Sequence, residues 1–321
     1  MDILLIKTAI YATLIAFLIA LVLSPIIIPF LRRLKFGQYQ RVDGPQSHLQ
    51  KEGTPTMGGI MILSSIFITS LFFVNGNSNV IAVLLVTLAF GFIGFLDDFI
   101  KVVLKRSRGL NAKQKIVLQV LVAVIFAYYF IYYTNIGTKI IIPFTNRAEW
   151  DLGLWFYPFL VFVVVGTVNA VNLTDGLDGL ASGVTALVAT FFATISLGVA
   201  TELSPIICAT IGSLLGFLLY NAHPARMFMG DTGSLALGGF VVSIALLLKM
   251  PLFLIIVGII YIAEVLSVII QVASFKLTKK RVFKMAPIHH HFELMGWKET
   301  KVVAVFFIIT AIACLIGFLA F

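Results

Sequence analysis

The chain has 321 residues, of which 60% are hydrophobic and 12% are charged, and its formal net charge is +9. Its mean hydropathy of +1.07 exceeds what a soluble fold of this length can bury, so the composition excludes a water-soluble globular protein. The basic residues flank apolar segments, and no aromatic-rich binding module accompanies them. The charge therefore indicates membrane topology and contact with membrane lipid, and no nucleic-acid partner.

Apolar segments of the length that crosses a bilayer as a helix recur along the whole chain. The sequence therefore predicts an all-α polytopic membrane protein of about ten transmembrane helices, which form a single domain over residues 1–321. The predicted helices are Thr8–Phe30, Met57–Val74, Val80–Leu96, Ile116–Tyr133, Trp155–Val171, Leu180–Ala200, Leu203–Leu219, Leu235–Leu248, Leu252–Ser274 and Val302–Phe321. Only the short segment from Lys249 to Pro251 separates the eighth from the ninth.

The basic residues predict the orientation of these helices. If the loops alternate between the two sides, one side receives most lysines and arginines, and the other receives only Lys7, Lys139, Arg147 and Lys249. By the positive-inside rule, the side rich in basic residues is cytoplasmic. An even number of helices then places both termini on the extracytoplasmic side. On that same side, residues 134–153 predict a small β-hairpin around Pro143.

The first cytoplasmic loop ends in the segment Lys51–Gly59, which contains three glycines. Glycines allow close approach of the backbone, Thr54 and Thr56 offer hydroxyl groups, and Lys51 offers a positive charge. Together these groups suit an anion at a helix start. A turn rich in glycine and proline that merely enters a helix would give a similar pattern, so both interpretations stay open.

Two adjacent carboxylates, Asp97 and Asp98, end the third apolar segment. At the end of a membrane helix they repel each other and lose hydration, so they require positive charge nearby. A divalent metal ion or a metal-phosphate complex would supply it. Lys101 lies one helical turn after Asp97 and could form a simple salt bridge with it, but one lysine does not compensate both carboxylates.

The loop after the fifth predicted helix contains Asn172, Asp175 and Asp178, and each aspartate is followed by glycine. Asp-Gly steps are typical of turns, so these residues could serve the turn alone. No lysine or arginine accompanies the two acids, however. Such a loop could accept hydrogen bonds from a base, a ribose or a sugar.

The loop from Asn221 to Ser234 contains Phe228 and Asp231. Asp231 lies between glycines, which frees its carboxylate for a hard cation with oxygen ligands. Phe228 could stack on a planar ring. The loop therefore combines a predicted cation ligand with a predicted stacking residue.

Three consecutive histidines, His289, His290 and His291, lie in a basic loop before the last predicted helix. Three histidines in a row rarely serve core packing, and consecutive side chains cannot all point at one metal ion. Hydrogen bonding or charge donation to phosphate fits this loop better than a zinc site. Glu264, an acid within the ninth apolar segment, indicates either a functional cavity or a pair with a neighbouring helix.

All five polar clusters fall on the predicted cytoplasmic side. A site at that boundary can take one substrate from water and another from lipid. Carboxylates suit Mg²⁺, lysines suit phosphate, and a stacking phenylalanine with Asn and Asp side chains suits a nucleoside. The combination predicts phosphoryl transfer on a nucleotide-activated compound.

Five motifs in order along the chain resemble those of the phospho-N-acetylmuramoyl-pentapeptide transferases, a branch of the polyprenyl-phosphate N-acetylhexosamine-1-phosphate transferase superfamily. The motifs are Lys51–Gly59, Asp97-Asp98 with Lys101, Asn172–Gly179, Phe228–Ser234 and Pro287–Glu293. The resemblance implies transfer of phospho-N-acetylmuramoyl-pentapeptide from its UDP carrier to undecaprenyl phosphate in the bacterial cytoplasmic membrane. The products would be lipid I, for peptidoglycan synthesis, and UMP, and the implied cofactor is Mg²⁺.

The resemblance also implies a role for each matched residue. Asp231 would be catalytic and would bind Mg²⁺. Asp97 and Asp98 would form a catalytic pair, in which Asp98 takes a proton from the lipid phosphate, and His289 would steady the diphosphate or the metal. The implied substrate-binding residues are Lys51, Thr56, Lys101, Lys113, Asn172, Asp175, Asp178, Asn221, Phe228, His290 and His291.

Several alternatives stay open at this point. A UDP-N-acetylglucosamine transferase of the same superfamily would resemble the chain in the Asp-rich loops, but the form of the histidine loop favours the muramoyl-pentapeptide branch. A secondary transporter could use Glu264 and the acidic loops as an ion pathway, although transporter charges usually lie near the bilayer midplane. The lipid phosphate could attack directly, or an aspartate could first form a phospho-enzyme. The oligomeric state, including a homodimer, is also open.

Overall fold

The computed structural model describes residues 3–33, 53–74, 76–104, 109–134 and 136–321. The α-helices in these ranges are α1 (Ile3–Arg33), α2 (Gly59–Phe73), α3 (Ser78–Val102), α4 (Ala112–Tyr133), α5 (Phe156–Thr174), α6 (Leu180–Val199), α7 (Ser204–Asn221), α8 (Gly230–Leu247), α9 (Leu254–Val257), α10 (Ile259–Thr278), α11 (Ile288–Leu294) and α12 (Glu299–Ala320). Two short strands, β1 (Lys139–Ile141) and β2 (Glu149–Asp151), lie between α4 and α5. Short 3₁₀ turns precede α5, α7 and α9.

Apolar helices occupy all ten predicted positions, which confirms the all-α polytopic membrane fold. In the part of the chain that is described, 9 helices are long and apolar enough to cross a membrane. The remaining apolar helix, α2, has 15 residues. It is therefore about 22 Å long, against roughly 30 Å for the hydrocarbon core of a bilayer. The side of the membrane on which each end lies stays a prediction.

The chain turns between the eighth and ninth predicted helices at the expected place. Helix α8 ends at Leu247, Lys249 adopts a left-handed conformation with a φ of 59°, and Pro251 begins a 3₁₀ turn. Proline favours the first turn of a helix because its missing amide hydrogen would have no partner there. The ninth predicted helix is not continuous, however, since α9 stops at Val257 and α10 begins after Gly258.

The predicted hairpin is confirmed. Strand β1 pairs antiparallel with β2, with Lys139 opposite Asp151. The backbone amide of Ile141 donates to the carbonyl of Lys249 (2.7 Å), and the Lys249 ammonium lies 2.9 Å from Oε1 of Glu149. The hairpin therefore covers the end of the bundle at which α4 ends and α5 begins.

Helix α8 is the centre of the bundle. Every residue from Thr232 to Leu247 is buried, and α8 packs mainly on α3 and α5. Small residues permit this packing. A Cβ added to Gly238 would lie 2.6 Å from Cα of Val168, and a Cβ added to Gly94 would lie 2.0 Å from the carbonyl oxygen of Asp231. The last turns of α3 therefore lie directly against the first turn of α8.

Replacing Gly94 by alanine tests this close approach. We expect Gly94→Ala to destabilise the protein by about 1–3 kcal/mol, because the added methyl group meets a backbone oxygen that cannot move without shifting α8. Thermal unfolding in detergent measures the effect. The matched control is Gly166→Ala in α5, since a Cβ at Gly166 would have no heavy atom within 4 Å. Equal melting temperatures for the two variants would contradict the packing described.

Candidate active site

The candidate site lies at the end of the bundle away from the hairpin. Helices α3 and α5 end there, and α4 and α8 begin there. The start of α4 is fixed by a capping box: the Asn111 side chain accepts from the Gln114 amide (2.8 Å), and the Gln114 side chain accepts from the Asn111 amide (3.0 Å). Polar groups from segments far apart in the sequence are thereby collected at one place.

The Asp231 carboxylate lies between two lysines and an amide. Its Oδ2 accepts hydrogen bonds from Nζ of Lys101 (3.0 Å) and Nζ of Lys115 (2.8 Å), and its Oδ1 accepts from Nδ2 of Asn172 (2.8 Å). Asn172 also donates to Oγ of Ser234 (2.7 Å), nearly one turn further along α8. The structure thus brings three of the predicted site residues, Lys101, Asn172 and Asp231, into direct contact.

Asp97 is buried and faces the same two lysines. It forms an ion pair with Lys101, one turn along α3, and its Oδ2 lies 3.6 Å from Nζ of Lys115. Its Oδ1 accepts a hydrogen bond from the backbone amide of Leu110 (2.8 Å), so the segment before α4 folds over it. The positive charge that Asp97 requires is therefore supplied by a lysine pair shared with Asp231.

Asp98 is buried as well, but it points to the start of α8. Its carboxylate accepts hydrogen bonds from the backbone amides of Asp231 (3.2 Å) and Thr232 (2.9 Å) and from the hydroxyl of Thr232 (2.6 Å). It therefore acts as a cap contributed by a neighbouring helix, where a negative charge is also favoured by the helix dipole. Asp98 holds Asp231 in place, and its predicted proton transfer stays a prediction.

The three aspartates form a group that could hold a metal ion. One carboxylate oxygen from each of Asp97, Asp98 and Asp231 lies within 4.8 Å of the other two. An all-oxygen, all-carboxylate set suits a hard divalent cation. Two of these carboxylates bind the ammonium groups of Lys101 and Lys115, so a cation would compete with the lysines for the same oxygens.

Asp175 lies in the turn after α5, close to other acids. Burial raises its pKa well above the usual range of an aspartate, and the negative charges of Asp231, Asp98 and Asp178 raise it further. The excess of negative charge in this part of the site would be relieved by a cation or by a proton. This observation supports the predicted acidic character of the loop.

Asp178 and Asn221, both buried, belong to a neighbouring network that shapes the loop before α8. Asp178 Oδ2 lies 3.0 Å from Nδ1 of His223 and accepts from the amide of Ala225 (3.0 Å). The Asn221 amide donates to the carbonyl of Met227 (3.0 Å). Both side chains therefore stabilise the loop before α8, and their contact with substrate stays a prediction.

The segment that carries Thr56 pairs with the segment before Asp231. The amide of Phe228 donates to the carbonyl of Pro55 (2.9 Å), and the amide of Gly58 donates to the carbonyl of Phe228 (2.8 Å). Thr56 is buried beside Gly230, where an added Cβ would lie 2.8 Å from its hydroxyl oxygen. The ring of Phe228 is half-buried. Lys51, predicted to bind substrate, lies outside the described residues.

The three histidines point to three different partners, as their consecutive positions require. The His289 ring is buried, with Nδ1 3.0 Å from Oε1 of Glu264. Nδ1 of His290 lies 2.8 Å from Oε2 of Glu293, within α11. Nδ1 of His291 accepts from the amide of Lys284 (3.1 Å). His289 is thereby linked to the long helix α10, which carries Glu264.

Lys115 is a site residue that the sequence argument missed. It contacts both Asp97 and Asp231, whereas the predicted Lys113 is exposed and lies in the first turn of α4. The capping box at Asn111 marks the start of α4, and so it places Lys113 and Lys115 on different faces of one helix. Gln119, one turn after Lys115, is buried, so these two polar residues mark the inward face of the helix.

The chain is similar to proteins of known family over nearly its whole length. The profile of glycosyl transferase family 4 matches residues 80–249, and signature 1 of the phospho-N-acetylmuramoyl-pentapeptide-transferases matches residues 51–63. The chain is 53% identical to the phospho-N-acetylmuramoyl-pentapeptide-transferase of Caldanaerobacter subterraneus subsp. tengcongensis, with 98% of each chain covered. It is 55% identical to that of Clostridium kluyveri (97% of this chain and 98% of the relative covered). Identity to that of Clostridium botulinum strain Alaska E43 is 56%, with 98% and 96% covered.

Proposed function

The chain belongs to the phospho-N-acetylmuramoyl-pentapeptide transferases, and we propose that it transfers phospho-N-acetylmuramoyl-pentapeptide from its UDP carrier to undecaprenyl phosphate, giving lipid I and UMP. The observation that carries the proposal is the cluster of Asp97, Asp98 and Asp231 with two lysines at one end of the bundle. It combines a cation site with donors for phosphate. The reaction is a membrane step of peptidoglycan synthesis.

We place this end of the bundle at the cytoplasmic face of the bacterial cytoplasmic membrane. The basic residues of the sequence support that orientation through the positive-inside rule. The soluble UDP-linked substrate would then reach the site from the cytoplasm. The lipid phosphate would reach it from the adjacent leaflet, so that both substrates meet at the membrane surface.

Asp231 is the proposed chief ligand of Mg²⁺, with Asp97 next to it. Both carboxylates are already close together and both bind cationic groups, which supports a fit for a hard divalent ion. When bound, Mg²⁺ supplies positive charge that stabilises the phosphate oxygens during transfer and the departing UMP.

Lys101 and Lys115 are proposed to bind phosphate oxygens of the substrates. Their ammonium groups lie among the same carboxylates, so the site keeps positive charge where the phosphates arrive. Lysine suits this task as a compact charge with three donors. Thr56, Lys113 and Lys51 stay proposed substrate contacts.

The uridine and sugar are proposed to bind beside the acidic loop. The half-buried ring of Phe228 supports stacking on the uracil, and the amide of Asn172 and the carboxyls of Asp175 and Asp178 lie in the adjoining segments. Asn221 would act through the loop it holds. His290 and His291 stay proposed substrate contacts.

We favour direct attack of the lipid phosphate. An oxygen of that phosphate forms a bond to the β-phosphorus of the UDP-linked substrate, and the bond from this phosphorus to the bridging oxygen breaks, releasing UMP. Asp97 and Asp98 are buried and each accepts hydrogen bonds from the protein, whereas a carboxylate nucleophile needs an accessible oxygen. A burst of UMP in the absence of lipid phosphate would contradict this route and favour a phospho-enzyme.

The two lysines of α4 give a paired prediction. We expect Lys115→Met to lower kcat by about tenfold or more, because it removes a charged donor shared by Asp97 and Asp231. Lys113→Met removes an exposed charge, so it should mainly raise KM for the UDP-linked substrate. Steady-state kinetics of the purified variants measure both effects. A larger kcat loss in Lys113→Met than in Lys115→Met would contradict this arrangement.

The experiment that tests the function compares two donors. Purified protein is incubated with undecaprenyl phosphate, Mg²⁺ and either UDP-N-acetylmuramoyl-pentapeptide or UDP-N-acetylglucosamine, and UMP release and the lipid product are measured. We expect turnover with the muramoyl-pentapeptide donor and none with UDP-N-acetylglucosamine. Turnover only with UDP-N-acetylglucosamine, or with neither donor, would contradict the proposal.

A further inference from the structure

Glu264 is a fully buried acid in the second turn of α10, and the roles proposed above leave it unused. Its Oε2 accepts a hydrogen bond from the backbone amide of Ile288 (2.9 Å), at the start of α11. Its Oε1 lies 3.0 Å from Nδ1 of His289. A carboxylate is costly inside a membrane helix, so its retention at this contact points to a function for the pair.

The contact is an ion-pair distance and not a well-aligned hydrogen bond. Within the described part of the chain, Oε1 of Glu264 and both ring nitrogens of His289 are buried without an aligned hydrogen-bond partner. A buried polar atom left in this state destabilises the fold, so the pair is not explained by stability.

The second nitrogen of His289 faces the acidic loop. A Cβ added to Gly176 would lie 2.1 Å from Nε2 of His289. Gly176 follows Asp175, whose carboxyl is close enough to Asp98 and Asp231 to be affected by their charges. The His289 ring therefore lies between Glu264 on one side and the loop that contains Asp175 and Gly176 on the other.

We propose that Glu264 is a positioning residue, which holds Nδ1–H of His289 so that Nε2 is the nitrogen presented to the substrate at the Asp175–Asp178 loop. This inference rests on the proposed function. The carboxylate can only accept a hydrogen, so a neutral ring beside it carries its proton on Nδ1 and leaves the Nε2 lone pair toward the loop. The backbone bond to Ile288 fixes the segment that carries the ring.

Glu264→Gln tests the proposal because it keeps the size of the side chain and reverses the hydrogen bond. The amide oxygen can still accept from Ile288, but the amide nitrogen then donates to Nδ1, and the ring proton moves to Nε2. We expect kcat to fall by about ten- to a hundredfold, as for other residues that orient a functional histidine, with a smaller change in KM for the UDP-linked substrate.

Two further measurements keep the test decisive. The nitrogen NMR spectrum of ¹⁵N-histidine-labelled protein, assigned by comparison with His289→Gln, reports which ring nitrogen carries the proton. The proton should lie on Nδ1 in the wild type and on Nε2 in Glu264→Gln. Gly176→Ala should lower kcat similarly, because its methyl group displaces Nε2 while the backbone there needs no left-handed conformation. The matched control is again Gly166→Ala, whose kcat should stay unchanged.

The outcomes separate the two proposals. Absence of transfer by the wild-type protein would overturn the proposed function, while the NMR spectrum would still test the tautomer. If the wild type is active, kcat within about twofold of wild type in Glu264→Gln, or an unchanged His289 spectrum, overturns the positioning role. If Glu264→Gln does not fold, wild-type kcat in Gly176→Ala overturns it.

Discussion

Asp231→Asn is expected to abolish nearly all transfer, lowering kcat by about 10²- to 10³-fold or more, while the protein still folds in detergent. Asp231 accepts from Lys101, Lys115 and Asn172, so it joins its own helix, α8, to α3, α4 and α5. An asparagine keeps the size and one acceptor oxygen, but it loses the charge that attracts a cation and orders both lysines.

The matched control for this variant is Asp151→Asn. Asp151 is exposed in the hairpin at the opposite end of α4 and α5, where it accepts from the hydroxyl of Thr138 (2.5 Å). The same chemical change there should leave kcat at the wild-type value. Lysine charges outside the site give a second control, since Lys280→Ala should also leave kcat unchanged. A wild-type rate for Asp231→Asn would show that the site is misassigned.

Asp98→Asn is expected to lower both activity and stability. The carboxylate receives three hydrogen bonds from the first turn of α8, and the amide group of asparagine can accept at only one of its two atoms. The loss of negative charge at a helix start lowers the free energy of unfolding by a further 0.3–1 kcal/mol, roughly. Because Asp231 lies in that same turn, its displacement should lower kcat by about 10²-fold.

Comparing the two aspartate variants separates chemistry from architecture. Thermal unfolding should show a clear fall in melting temperature for Asp98→Asn and little change for Asp231→Asn, although both lose turnover. An Asp98→Asn protein that is inactive but as stable as the wild type would assign Asp98 to the reaction itself. Full activity of Asp98→Asn would contradict both a role in the reaction and a role in positioning Asp231.

The hydropathy of the sequence predicted the helices well because the bilayer imposes the constraint. A membrane-crossing helix needs a long apolar run, and each run can be found without knowing its neighbours. The break at Gly258 was missed because both sides of it are apolar. The hairpin was found from a polar segment around Pro143 between two such runs.

The roles of neighbouring residues were harder to predict. The sequence predicts Asp97 and Asp98 as one catalytic pair, but consecutive residues on a helix point about 100° apart, so Asp97 faces the lysines and Asp98 faces α8. For the same reason the sequence did not separate Lys113 from Lys115. The contact of His223 with Asp178 depends on how distant segments meet, which no local pattern contains.

The most direct test of the central claim is the dependence of UMP release on each component. Purified protein is given UDP-N-acetylmuramoyl-pentapeptide with or without undecaprenyl phosphate and with or without Mg²⁺, and Asp231→Asn is assayed in parallel. We predict UMP release only when all components and the wild-type protein are present. Release of UMP by Asp231→Asn at the wild-type rate, or by the wild type without Mg²⁺, would contradict the account.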